Sequence, residues 1–152
     1  MSWKFNNKEF TSQDIGDYYG FIYLITHEIT GRKYIGKKVF KHLKTLPPLK
    51  GKKRKRKQFK ESDWKTYYGS CDELIEDLKK HGYDKCTRTI LYLCKDKRDL
   101  TYIETKLQFQ YDVLETLDDK GKPVYYNTNI AGKFFPRKEF VEEGFRKSNI
   151  TS

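Results

Sequence analysis

The chain has 152 residues, of which 36% are hydrophobic and 16% aromatic, enough for a single folded domain and too aromatic for a disordered polyelectrolyte. Its three cysteines, Cys71, Cys86 and Cys94, are odd in number and show no C-x-x-C spacing, which argues against a disulfide framework or a zinc knuckle and for a reducing, cytoplasmic setting. The +11 net charge lies in one place: twelve of the 24 residues from Lys37 to Lys60 are Lys or Arg and none is acidic, leaving 20 bases against 21 acids elsewhere.

Residues 1–17 are polar and read as an irregular arm, without the apolar core of a signal peptide. Tyr18 to Thr26 is rich in aromatic and β-branched residues and predicts a strand. His27 to Arg32 carries turn chemistry around Gly31, and Lys33 to Phe40 is the return strand. Pairing Thr26 with Lys33 sets Tyr34 opposite Ile25 and Gly36 opposite Tyr23. Tyr23, Tyr34, Gly36 and Lys38 then share one face, and a one-residue slip would separate the tyrosines. Two phenols and an ammonium beside an open glycine suit phosphate chemistry; a hairpin packed with core tyrosines is the competing reading.

The basic segment that follows contains Pro47, Pro48 and Gly51, so it is expected to be an extended loop, not a helix. Clustered Lys and Arg suit a polyphosphate partner, since each neutralised phosphate releases counterions; an import signal or a solvated tract has the same composition. Ser70 and Glu73 have capping-box spacing at the start of a helix that runs to His81 and stops at Gly82. Thr89 to Cys94 is an unbroken apolar run, as in a strand covered on both faces. A second helix is expected from about Arg98 to Leu114, with Leu100, Ile103, Leu107 and Leu114 on its buried stripe.

Glu104 sits at the edge of that stripe, where an unpaired carboxylate is costly and calls for a cation or a hydrogen-bond partner. A capping box from Thr101 to Glu104 is the alternative. One protein carboxylate, completed by water and substrate phosphate, is a familiar way to hold Mg²⁺. A turn around Asp118 to Pro123, ordered chain from Tyr125 to Ile130 and a polar tail over 133–152 complete the order. No apolar run approaches the roughly 20 residues needed to cross a bilayer. The pattern is an α+β domain over 18–132, with a small, antiparallel-dominated three-stranded sheet flanked by helices.

Phe21-Ile22-Tyr23, ten residues, then Tyr34-Ile35-Gly36, resembles the paired signature of GIY-YIG nucleases, with Phe21 in place of the usual first glycine. Asp63-Trp64-Lys65-Thr66-Tyr67-Tyr68-Gly69-Ser70, the helix ending Lys80-His81-Gly82, the Glu104 helix and Asn127 follow in family order. The Lys37-Lys38 pair and the basic insertion over 41–60 look most like small phage-encoded members, which would act in the host cytoplasm. The resemblance implies a DNA endonuclease using one Mg²⁺ (or Mn²⁺) ion. It implies that Tyr23 is the base, that Tyr34 positions water or phosphate, that Glu104 is the metal ligand, and that Asn127 orients the site. The family arginine is missing after the second motif, and Lys38 is the expected surrogate. The family histidine is also missing, with Tyr67, Tyr68 and Ser70 in its neighbourhood. Lys37, Lys52, Lys53, Arg54, Lys55, Arg56, Lys57, Tyr68 and Ser70 are the expected substrate contacts. A non-catalytic DNA- or RNA-binding module is the alternative function, and a homodimer is left open.

Overall fold

The computed structural model describes residues 2–137. The part of the tail over 138–152 lies outside the described residues. The first hairpin forms in the expected register: β3 (Gly20–His27) pairs antiparallel with β4 (Lys33–Val39), with Thr26 opposite Lys33, Ile25 opposite Tyr34 and Tyr23 opposite Gly36. Gly31 takes φ +73° in the turn, and its N–H donates to the His27 carbonyl at 2.8 Å.

The sheet is larger than expected and mixed. Residues 1–17, expected to be irregular, supply β1 (Lys4–Phe5) and β2 (Lys8–Glu9), joined through Asn6 and Asn7, both at positive φ. β1 runs parallel to β7 (Cys86–Cys94), and β7 runs antiparallel to β3, giving a five-stranded sheet ordered β2-β1-β7-β3-β4. Tertiary packing drives this: Trp3 is buried beneath the sheet, its indole N–H donating to the Trp64 carbonyl at 2.7 Å. Phe10 and Ile15 are buried in the same cluster. Two residues per strand is too short to leave a periodic trace in the sequence.

A layer covers each face of the sheet. On one side, α1 (Asp72–His81) buries Leu74 and Leu78 against Phe21, Tyr23, Ile25, Phe40, Trp64 and the N-terminal aromatics. On the other, α2 (Lys97–Gln110) buries Leu100 and Leu107 against Ile22, Ile35 and Cys94. β7 contributes Ile90 to the first cluster and Cys94 to the second, as its apolar run implied. No helix among the described residues is long and apolar enough to cross a membrane.

Two expected caps are replaced. Cys71 is the N-cap of α1 and makes no side-chain cap bond; the Ser70 hydroxyl is instead 3.1 Å from that of Tyr34. Asp96 caps α2 by accepting from the Asp99 N–H at 2.7 Å, which starts the helix two turns before Glu104 and removes the capping explanation for that carboxylate. The basic insertion is no loop. β5 (Lys41–Leu46) and β6 (Arg56–Glu61) form a separate two-stranded ribbon, with the prolines and Gly51 confined to its turn.

Candidate active site

Gly36 is where the hairpin becomes a site. Tyr23 lies opposite it, and a Cβ at Gly36 would fall on the Tyr23 hydroxyl. Without a side chain there, the Tyr23 phenol can lie flat across β4 toward Tyr34, whose ring centroid is 6.1 Å away. Tyr67, from the segment before α1, stands edge-on to Tyr23 at 5.9 Å. Tyr23 is 1% exposed, and burial pushes its pKa well above the ordinary phenol value, reinforced by Tyr67 and Tyr34. Burial raises Tyr34 too, while its hydrogen bond with Ser70 pulls the other way. Both phenols are neutral hydrogen-bonding groups at neutral pH.

β4 is an edge strand, and the other half of the site comes around that edge from α2. Glu104 has a side chain 17% exposed, with the Lys37 ammonium 3.8 Å from its carboxylate. Burial raises the Glu104 pKa and Lys37 opposes the shift, so the carboxylate is only partly compensated. Tyr34 and Glu104 line one cleft of about 500 Å³ together with Gln108 and Asn127. The strand edge between them is pinned. The Asn127 side-chain oxygen accepts from the Ile35 N–H at 3.1 Å, and its amide nitrogen donates to the Ile35 carbonyl at 2.8 Å. Gln108 donates to the same carbonyl at 2.9 Å. Asn127 is thus a positioning group with both amide atoms engaged.

The expected residues divide into those that gather and those that do not. Tyr34, Ser70, Glu104 and Asn127 line the cleft, Lys37 reaches it through Glu104, and Tyr23 lies buried behind Tyr34 and Gly36. Lys38 shares the face of Tyr34, as the alternation required, but its ammonium is 2.7 Å from the Asp63 carboxylate and lies 4.0 Å over the Tyr67 ring. Tyr68 packs on Arg88 and Tyr83, away from the cleft. Lys52 to Lys57 sit on the exposed ribbon, in and just after its turn.

The structure chooses between the two neighbouring tyrosines, and two further residues, Gln108 and Arg88, escaped the sequence reading. Tyr67, not Tyr68, is the tyrosine against Tyr23. Gln108 is 5% exposed one turn beyond Glu104, and a second polar group on an apolar stripe was its only signal. Arg88 is 2% exposed, stacked between Trp3 and Tyr68, and donates to the Lys65 and Tyr67 carbonyls at 3.0 and 2.8 Å, which fixes the segment carrying Tyr67.

No group of three or more His, Cys, Asp or Glu side chains able to hold a metal occurs among the described residues. The donor chemistry still fits a hard divalent cation of the kind kept by one carboxylate and completed by water and phosphate oxygens. Glu104 offers a largely desolvated carboxylate, only partly compensated by Lys37, in the lining of that cleft.

One family model matches the chain, described as "Putative endonuclease segE, GIY-YIG domain", over residues 3–130. That span takes in β1, both signature strands, the ribbon, Glu104 and Asn127. No curated protein and no solved structure gives a match. With the match covering most of its length, the chain belongs to the GIY-YIG nuclease family, in the segE-type group.

Proposed function

We propose that the chain is a divalent-metal-dependent endonuclease that hydrolyses phosphodiester bonds in DNA in the cytoplasm. The observation that carries this reading is the meeting of Tyr34 and Glu104 in one cleft at the outer edge of β4, with the Lys37 ammonium 3.8 Å from the carboxylate. A module that only binds nucleic acid gains nothing from a half-desolvated carboxylate beside phosphate.

Glu104 would hold one Mg²⁺ or Mn²⁺ ion. When bound, the ion supplies Lewis-acid polarisation of the phosphoryl oxygen and stabilises charge on the leaving oxygen. The Tyr23 and Tyr34 hydroxyls orient the attacking water and the scissile phosphate. Their raised pKa values suit hydrogen bonding by neutral phenols better than a phenolate base. The water oxygen bonds to phosphorus, the bond to one bridging oxygen breaks, and the water proton passes to solvent or to that leaving oxygen. Lys37 neutralises charge developing at phosphorus, the role expected of Lys38, whose ammonium Asp63 and Tyr67 hold. Lys38 in turn sets the Tyr67 ring. Asn127 and Gln108 fix the strand that carries Tyr34, Gly36 and Lys37.

Incubation of supercoiled plasmid with the protein and Mg²⁺, with and without EDTA, tests the reading. Cleavage that EDTA abolishes and that Glu104→Gln lacks, with DNA binding retained, is the expected result. Binding without cleavage in any divalent ion would replace the enzyme with a nucleic-acid-binding module.

A further inference from the structure

The ribbon has two chemically different faces, and the difference bears on which DNA is cut. In its register, His42 faces Lys60 and Lys44 faces Gln58 across the two strands; the alternate pairs are Leu43 with Phe59 and Thr45 with Lys57. Directly opposed residues project to the same side, so His42, Lys44, Gln58 and Lys60 occupy one face. All four are exposed. The other face carries the Leu43–Phe59 pair and, at its root, is tied to the body. There the Lys41 ammonium donates to the Gly16 carbonyl, and the Glu61 carboxylate accepts from the Ser12 hydroxyl and the Trp64 indole. One face is thus anchored at its root and carries the Leu43–Phe59 pair, and the other presents His42, Lys44, Gln58 and Lys60 to solvent, with the Leu46–Arg56 pair at its turn end.

We propose that this open face, His42, Lys44, Gln58 and Lys60, reads base edges in the major groove of duplex DNA and gives cleavage its sequence preference. The inference rests on the endonuclease reading for its substrate. A major groove about 12 Å wide admits a two-stranded ribbon, and Lys to guanine and Gln to adenine are standard base-edge pairings there. Each strand has six residues and spans about 20 Å, the length of about six base pairs. Charge complementarity is strong: ten of the twenty residues from Lys41 to Lys60 are basic and none is acidic. The basic turn then meets the phosphates bordering the groove, while the face behind it selects sequence. Only Phe40 separates β5 from β4, so the reader follows directly on the strand bearing Gly36 and Lys37. The cut therefore falls within about one helical turn of the sequence read, at about 3.3 Å per residue along the chain.

Two charge-matched variants separate reading from clamping. The full chain is mixed, in EDTA, with a pool of random-sequence duplexes, and the bound fraction is sequenced. Wild type is expected to enrich a short motif. Lys44→Ser and Gln58→Ala, separately and together, are expected to change or erase preference at particular motif positions, by roughly 10-fold per position. Lys57→Ser removes the same charge from the opposite face and is expected to weaken all sequences alike, leaving the motif intact. Parallel plasmid digestion in Mg²⁺ reports the enzyme reading independently. Absence of any enriched motif with wild type, or an unchanged motif with the double variant, would overturn the proposal even if the plasmid is cut.

Discussion

At Glu104 the proposed catalytic role and the stability of the fold can be tested with one substitution. Its carboxyl pKa is raised in the fold, chiefly by desolvation, so the folded chain binds that proton more tightly than the unfolded one. Its contribution is therefore most favourable below the ordinary carboxylate range and is lost as pH rises through the raised value. Glu104→Gln is expected to raise the melting temperature by about 2–4 °C at pH 7–8. The advantage should shrink as the pH falls toward 4, where the wild-type group is protonated. The same variant should cleave DNA at least ~10²-fold more slowly, if one catalytic ligand is lost. Calorimetry across pH, alongside a plasmid assay, checks both arms; a destabilised Gln variant would contradict the account of the shift. Tyr23→Phe keeps the buried ring and removes one orienting hydroxyl, so folding should persist while turnover drops about 10²-fold through lost positioning. Lys37→Met is expected to impair cleavage more than Lys38→Met, reversing the order that strand alternation alone suggested.

Elements hold these groups through a few buried polar contacts. Arg88→Met would leave the Lys65 and Tyr67 carbonyls without their guanidinium donor and remove the cation between Trp3 and Tyr68. A loss of about 2–4 kcal/mol is expected by chemical denaturation, with Arg88→Lys intermediate. The β3–β4 register was legible because the turn and the alternation specify the same pairing, and a slip would have exposed the apolar set. Glu104 was legible as an oddity on an apolar stripe. The partner of Glu104 was not: alternation separates Lys37 from Lys38, but only the docking side of α2 decides which of them meets a carboxylate. The ribbon was hidden because its alternation is between polar side chains, which leave no hydrophobic period. The N-terminal strands were hidden by their length, and Asn6-Asn7, both at positive φ, is the one turn signal they leave in the sequence.

For the whole molecule, the proposed DNA contacts of the ribbon can be tested apart from folding. Replacing Lys52, Lys53, Arg54, Lys55, Arg56 and Lys57 with Ser should flatten the dependence of log K on log salt by several units, at about 0.9 per phosphate released from contact. The melting temperature should move by no more than about 1 °C, because these side chains are exposed. An unchanged slope would remove the ribbon from the DNA interface. The opposite holds at the N-terminus, where Trp3 is 1% exposed and bonded to Trp64. A catalytic unit trimmed to begin at Tyr18 would lose that plug and expose Phe21 and Phe40. The pinned edge of β4 has a wider consequence. An outer strand with free amide and carbonyl groups invites a strand from another molecule. Here Asn127 and Gln108 occupy the Ile35 groups, and the 124–126 segment bonds to Lys33 on both its N–H and its carbonyl. The side-chain amides that frame the cleft therefore also keep one copy of the protein from zipping onto the next, so loss of the Asn127 amide would surface first as insolubility.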